Sequence, residues 1–284
     1  MEYLLFLQNL RESLPTFINE GILFLSEFMG GTGALAVMAF VYWCVSKTAG
    51  SFMLLNFSSA YMTNQTLKNI FCVSRPFLRD TRIQPYTSAT GYSFPSGHTM
   101  LGTAVYSSAA IWQKKRKWFV AFCACMILLT AFGRNWIGVH TPEDVIVGIL
   151  VSLAVVFAQY RMLQWLEHKP GKDILVLLFA VLWAAALLIF IPGSEKTCGI
   201  FLGVYIGWFV ERRWIRFEVK GTLIRRILRY VLGMGVVLAM YKGVLPLLAS
   251  PFAENVQTLI INGFTFFTVT ALWPAILQLS RKKK

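Results

Sequence analysis

The chain has 284 residues, of which 56% are hydrophobic and only 14% charged, with a mean hydropathy of +0.59. Soluble domains carry roughly a quarter charged residues, so a soluble globular protein is excluded and an integral membrane protein is indicated. The net charge of +14 sits in short basic clusters between apolar runs, which fits loops facing an anionic leaflet and argues against a nucleic-acid partner.

Residues 1–27 open with a Leu-rich stretch interrupted by Arg11, Glu12 and Pro15, and an interfacial helix lying on the membrane is expected there. The start lacks a basic leader region and a small-residue cleavage site, so no cleaved signal peptide is expected. Apolar runs approaching a span of ~20 residues follow at about 28–46, 50–71, 98–113, 117–135, 143–163, 173–192, 196–211, 226–248 and 257–279. The expected fold is therefore all-α, a polytopic transmembrane helix bundle. A core over 28–165 carries the chemistry, and 166–284 adds further transmembrane helices. The five cysteines, Cys44, Cys72, Cys123, Cys125 and Cys198, have no paired spacing. They read as structural thiols rather than as a disulfide or zinc framework.

Lys/Arg excess marks cytoplasmic loops. KKRK (114–117), the 161–173 loop, the 211–229 stretch and the terminal RKKK (281–284) alternate consistently on one side. The same alternation puts the loops 72–97 and 134–142 together on the outer face of a cell membrane.

Those two loops hold two of the three histidines. The first presents Lys68, then after six residues Arg75-Pro76, and later Pro95-Ser96-Gly97-His98. Ser96 is placed to cap a helix beginning near His98, whose free N–H groups and dipole favour phosphate, while Gly97 permits close backbone approach. Lys68, Arg75 and Arg134 add three cations, two of them guanidiniums suited to bidentate phosphate contact. Such a pocket at a membrane edge implies an anionic headgroup. The second loop runs Arg134, five residues, His140, three residues, Asp144. Thr141-Pro142-Glu143-Asp144 is a helix opening, with Asp144 at the third position. One turn from His140, Asp144 also suits a proton acceptor that orients the imidazole and leaves its other nitrogen nucleophilic. Taken singly, each piece has a plain structural reading, as a helix cap or a cation reaching toward the interface. Their joint occurrence on one face does not.

This set resembles the three motifs of the type 2 phosphatidic acid phosphatase superfamily, over about residues 30–165. One departure is Gly133, where that family usually has Ser before the third-motif arginine. The resemblance implies phosphoryl transfer without metal or cofactor. His140 would attack phosphorus with Asp144 orienting it, and a phosphohistidine would form. His98 would protonate the leaving oxygen and later activate water. Lys68, Arg75, Ser96, Gly97 and Arg134 would hold the phosphoryl oxygens.

A phosphorylated membrane lipid is the implied substrate. Undecaprenyl pyrophosphate comes first because carrier-lipid recycling needs an outward-facing site, and phosphatidylglycerol phosphate or phosphatidate come next. The alternatives are transfer of the phosphoryl group to a lipid or sugar acceptor, and a non-catalytic lipid transporter or scaffold. The side of the membrane is directly testable. In a background cleared of native cysteines, Thr87→Cys should react with an impermeant thiol reagent on intact cells and Lys115→Cys should not. The opposite pattern would put the site inside.

Overall fold

The computed structural model describes residues 1–28 and 30–282, so the last two lysines of the basic tail lie outside the described residues. Secondary structure among the described residues is helical. In order the helices are α1 (Glu2–Ser13), α2 (Thr16–Phe28), α3 (Thr32–Phe40), α4 (Lys47–Phe71), α5 (Pro76–Arg79), α6 (Gly97–Trp112) and α7 (Lys117–Trp136). Then come α8 (Pro142–His168), α9 (Asp173–Phe190), α10 (Glu195–Val210), α11 (Leu223–Ala239), α12 (Leu245–Ala249), α13 (Glu254–Phe267) and α14 (Trp273–Lys282). Wider π-turns carry α3, α10, α11 and α13 onward beyond these ends.

Five helical stretches are long and apolar enough to cross a membrane: α7, α8, α9, Leu223–Ala249 and Glu254–Leu279. A sixth arises if the bent pair Thr16–Phe28 and Gly33–Val45 is one broken span. This is a multi-pass membrane protein. Fewer helices meet that criterion than there are apolar runs in the sequence. At 16 residues each, α6 and α10 are short, and α4 is interrupted by polar side chains such as Asn56, Ser58, Ser59 and Asn64.

The chain divides into two compact units, Met1–Leu35 with Thr63–Ala158 and Ala36–Met62 with Gln159–Lys284. In the first, α7 packs against α1, α2 and α6. Residues 1–27 form two helices rather than one, because Pro15 forces its predecessor Leu14 to an extended backbone (ψ 152°) that ends α1. The buried face of α1 carries Leu4, Leu7 and Arg11, while Tyr3, Phe6 and Leu10 are exposed. Arg11 donates to the carbonyls of Trp136 (3.0 Å) and Gln84 (2.7 Å). Asn19 of α2 donates to Arg11 O and accepts from Trp136 Nε1, each at 3.0 Å. The two N-terminal helices thus clamp the C-terminal end of α7. Beneath the clamp, Leu7, Trp136, Ile137 and Val139 form an apolar cluster with Ile22, Leu23, Phe77 and Tyr86.

In the second unit α10 lies against α13 at a separation that only glycine permits. A Cβ at Gly203 would overlap the carbonyl of Gly263, and one at Gly199 would come within 2.6 Å of Leu259 O. Small residues at this spacing let apolar helices meet backbone to backbone, where dispersion replaces the absent hydrophobic drive. Trp43 Nε1 and Tyr42 OH donate to the carbonyls of Val269 (2.9 Å) and Thr270 (3.0 Å). The buried carboxylate of Glu211 pairs with Lys47 at 3.0 Å and accepts from Phe217 N. The cysteines are all free, and Cys72 and Cys125 are exposed rather than buried.

Candidate active site

The end of α4 lays the first part of the site. Asn64 and Lys68 are one turn apart and so share a helix face. Asn64 Nδ2 donates to Pro95 O (3.0 Å), and Lys68 Nζ donates to the carbonyls of Tyr92 and Ser93. This face holds residues 92–95 in place. Gly97 follows in close approach, since a Cβ there would lie 3.1 Å from Asn64 Oδ1.

Helix α6 begins at Gly97 with Ser96 as its N-cap, but Ser96 makes no capping bond to the backbone. Its hydroxyl accepts from Thr99 Oγ1 (2.9 Å) instead, and its amide donates to Asp144 O (2.9 Å). Among the described residues no acceptor meets the amides of Gly97, His98 or Thr99. Unmet N–H groups at a helix N-terminus are an anion-binding feature.

Arg75, at the cap of α5, is 7% exposed. It donates to the carbonyls of Thr90 (2.7 Å), Gly91 (3.1 Å) and Val139 (3.2 Å), and its NH1 lies 3.1 Å from His140 Nε2. Burial lowers its pKa and the Asp144 carboxylate opposes that shift. Since a guanidinium can only donate, His140 Nε2 must accept. The ring proton is then assigned to Nδ1, which faces Asp144 Oδ2 at 3.4 Å.

Three more contacts fix that arrangement. Asp144 Oδ2 accepts from Thr141 N (2.8 Å) while Asp144 N donates to Thr141 Oγ1 (3.4 Å). This reciprocal pair is a capping box that opens α8. The same carboxylate oxygen accepts from Ser93 Oγ at 2.5 Å. Asn135 Nδ2 holds His140 O at 2.9 Å. Gly138, at φ +76°, makes the turn between α7 and α8 in a conformation that disfavours side chains.

His140 is 2% exposed. Burial pulls its pKa down to about 3, Asp144 pushes the other way, and Arg134, Arg75 and Lys68 lower it further. The ring is therefore neutral near pH 7, with its lone pair on the side of the cations. Arg134, in the last turn of α7, is 4% exposed, and its Nε has no hydrogen-bond partner. Its NH1 reaches Glu27 of α2 at 3.4 Å. His98 lies in the first turn of α6 with its ring against Gly30. All eight residues expected from the sequence lie in one compact unit. Ser93, Asn64, Asn135 and Glu27 also contribute, and no motif spacing marks them.

Two family models match this chain. One, the PAP2 superfamily, covers residues 49–168; the other, the PAP2 superfamily phosphatase transmembrane extension, covers residues 196–283. The chain belongs to the PAP2 superfamily. Among relatives of this PAP2 protein, the undecaprenyl-diphosphatase BcrC of Bacillus subtilis (strain 168) is 28% identical over 116 residues. That alignment takes in 41% of this chain and 58% of BcrC. The putative undecaprenyl-diphosphatase YbjG of Escherichia coli (strain K12) is 25% identical across 56% of this chain and 79% of its own length. Phosphatidylglycerophosphatase B of the same strain is 33% identical over 82 residues, which is 28% of this chain and 31% of that one. A crystal structure of a Bacillus subtilis PAP2-type phosphatidylglycerolphosphate phosphatase is similar at a TM-score of 0.46 and 21% identity, covering 57% of this chain and 85% of that one.

The His140 shift has a consequence for stability. An imidazole that is neutral in the fold and has an ordinary pKa near ~6.5 when unfolded contributes fully above that value. The contribution is lost progressively as pH falls from there toward the folded value of about 3. Acidifying the detergent-solubilised protein from pH 7 to 5 should therefore cost about 1–2 kcal/mol at this group. His140→Gln, which cannot titrate, should flatten that part of the melting-temperature profile. An unchanged slope in the variant would mean that His140 is not held neutral.

Proposed function

We propose that this protein is a lipid phosphate phosphatase that works through a phosphohistidine on His140, at the outer face of the cell membrane. The observation that carries the reading is the His140 environment. A neutral imidazole keeps its proton on Nδ1 toward Asp144 and offers Nε2 within 3.1 Å of a phosphate-binding guanidinium. A phosphoryl group drawn to Arg75 arrives beside the nucleophilic lone pair.

In the first step the Nε2–phosphorus bond forms on the terminal phosphorus as its bond to the bridging oxygen breaks, so that a diphosphate loses the lipid monophosphate and a monoester loses the lipid alcohol. Charge growing on the equatorial oxygens is met by Lys68, Arg75, Arg134 and the amides at the start of α6. The leaving oxygen takes a proton from His98, which burial and the neighbouring cations hold down to a pKa of about 3 until the phosphoryl anion enters and offsets those cations. In the second step His98 takes a proton from water, which attacks phosphorus, and inorganic phosphate leaves as the nitrogen–phosphorus bond breaks. Asp144 stabilises the charge on the His140 ring throughout. Three cations and a helix N-terminus perform the electrostatic work that a metal performs elsewhere.

Undecaprenyl pyrophosphate is the first candidate substrate, supported by the names of BcrC and YbjG; phosphatidylglycerol phosphate follows, supported by the name of phosphatidylglycerophosphatase B. These motifs touch only the phosphate, so a panel must rank the lipids. In excess EDTA, purified protein should release phosphate fastest from polyprenyl diphosphate, more slowly from phosphatidylglycerol phosphate and phosphatidate, and vanadate should inhibit. His98→Ala should lose at least about tenfold more activity on a lipid phosphomonoester such as phosphatidate than on an aryl phosphate whose leaving group needs no proton. Activity abolished by EDTA and restored by magnesium would overturn the mechanism, as would equal losses on the two substrate types.

A further inference from the structure

One wall of the site belongs to no motif. The C-terminal end of α2 meets the other residues at three points. Ser26 packs on Gly133, where a Cβ would overlap its own Cβ and come 3.1 Å from its Oγ. Glu27 accepts from Arg134. Gly30, just beyond the helix, faces the His98 ring, and a Cβ there would stand 2.8 Å from its Cγ. Gly133 is the residue that lets α2 come this near, because any side chain at 133 would displace Ser26 and with it Glu27. The missing hydroxyl beside Arg134 and the presence of a carboxylate at Arg134 are thus two sides of one packing arrangement.

Glu27 is the unexpected member, since a carboxylate in an anion-binding site opposes its ligand. Its contact with Arg134 is single and 3.4 Å long, and Glu27 is 46% exposed. The structural pair elsewhere in the chain, Arg213 with Asp173, is bidentate at 2.9 and 2.8 Å. By that comparison the Glu27 contact is a weak tether, largely screened by solvent. Meanwhile the buried Arg134 Nε faces no acceptor at all. A guanidinium with one edge loosely held and another polar atom unmet is set up to exchange its partner.

We propose that Glu27 is an internal anion that competes with phosphate for Arg134. It partly neutralises the buried guanidinium while the site is empty and swings toward solvent when a phosphoryl group arrives. By lowering the affinity for phosphate, it eases release of the inorganic product. The proposal rests on the phosphatase reading above.

The test is inhibition by vanadate and by inorganic phosphate, measured with an aryl phosphate substrate on the purified protein. Glu27→Gln keeps a hydrogen-bond acceptor and removes the charge. One unit charge several ångströms away in a half-exposed setting changes anion affinity by about three- to tenfold. Both inhibition constants should therefore fall by about that factor, and vanadate should raise the melting temperature of the variant more than that of wild type. Glu27→Asp, which keeps the charge but draws it back by one methylene, should show a smaller fall in the same direction. It also serves should Glu27→Gln fail to fold. Glu20→Gln, exposed two turns earlier on α2, should match wild type. Unchanged or higher constants in both Glu27 variants would overturn the proposal and make Glu27 a residue that positions Arg134. An equal fall in Glu20→Gln would overturn it in favour of a general field effect of α2. Wild-type protein that vanadate does not inhibit would sink the phosphatase reading itself, and the proposal with it.

Discussion

A neutral imidazole has one proton to donate and one lone pair to use, and the surroundings of His140 decide which nitrogen has which. Arg75 cannot accept a hydrogen bond, so its NH1, 3.1 Å from Nε2, assigns the lone pair to that nitrogen. Asp144 takes the Nδ1 side. The carboxylate is in turn held by Thr141 N and Ser93 Oγ, and the backbone of His140 by Asn135. Each of these groups is itself fixed by a helix end: α7 supplies Asn135, α8 opens at Thr141 and Asp144, and α4 pins the loop segment that carries Ser93.

The second constraint is charge. Three cations stand near His140 with few carboxylates to meet them, and the Nε of Arg134 is buried without a partner. Burying unpaired charge costs several kcal/mol in general, so such a cluster persists only where an anion compensates it in the working state. The unmet amides at the start of α6 point the same way. Local geometry and electrostatics therefore converge on a group with several oxygens and negative charge, which is why a phosphoryl ligand is the economical reading of this site.

Local chemistry was the legible part of the sequence. The Thr141 to Asp144 capping box and the His140 to Asp144 turn both lie within four residues, so spacing alone exposes them. Ser96 stands at the helix start that the sequence indicates, yet its hydroxyl accepts from Thr99 Oγ1 rather than from a backbone amide. What the sequence could not show is assembled over long separations. Arg11 bonds to Trp136 across 125 residues and Arg134 to Glu27 across 107. Nothing in the local pattern of an interfacial stretch announces that its end will form a wall of the site. The grouping of residues 36–62 with the C-terminal half also rests on contacts far apart in sequence, such as those of Tyr42 and Trp43 with Thr270 and Val269.

The account stands on His140 Nε2 as the attacking atom, and the covalent intermediate tests that atom directly. Phosphoenzyme formed with a slowly hydrolysed substrate would be quenched in alkali and mapped by peptide mass spectrometry, with phosphorus NMR to assign the ring nitrogen. A single phosphate on Nε2 of His140 is the predicted result. Phosphate on Nδ1 of His140 would contradict the tautomer fixed by Arg75 and Asp144, and phosphate on His98 would reverse the roles of the two histidines.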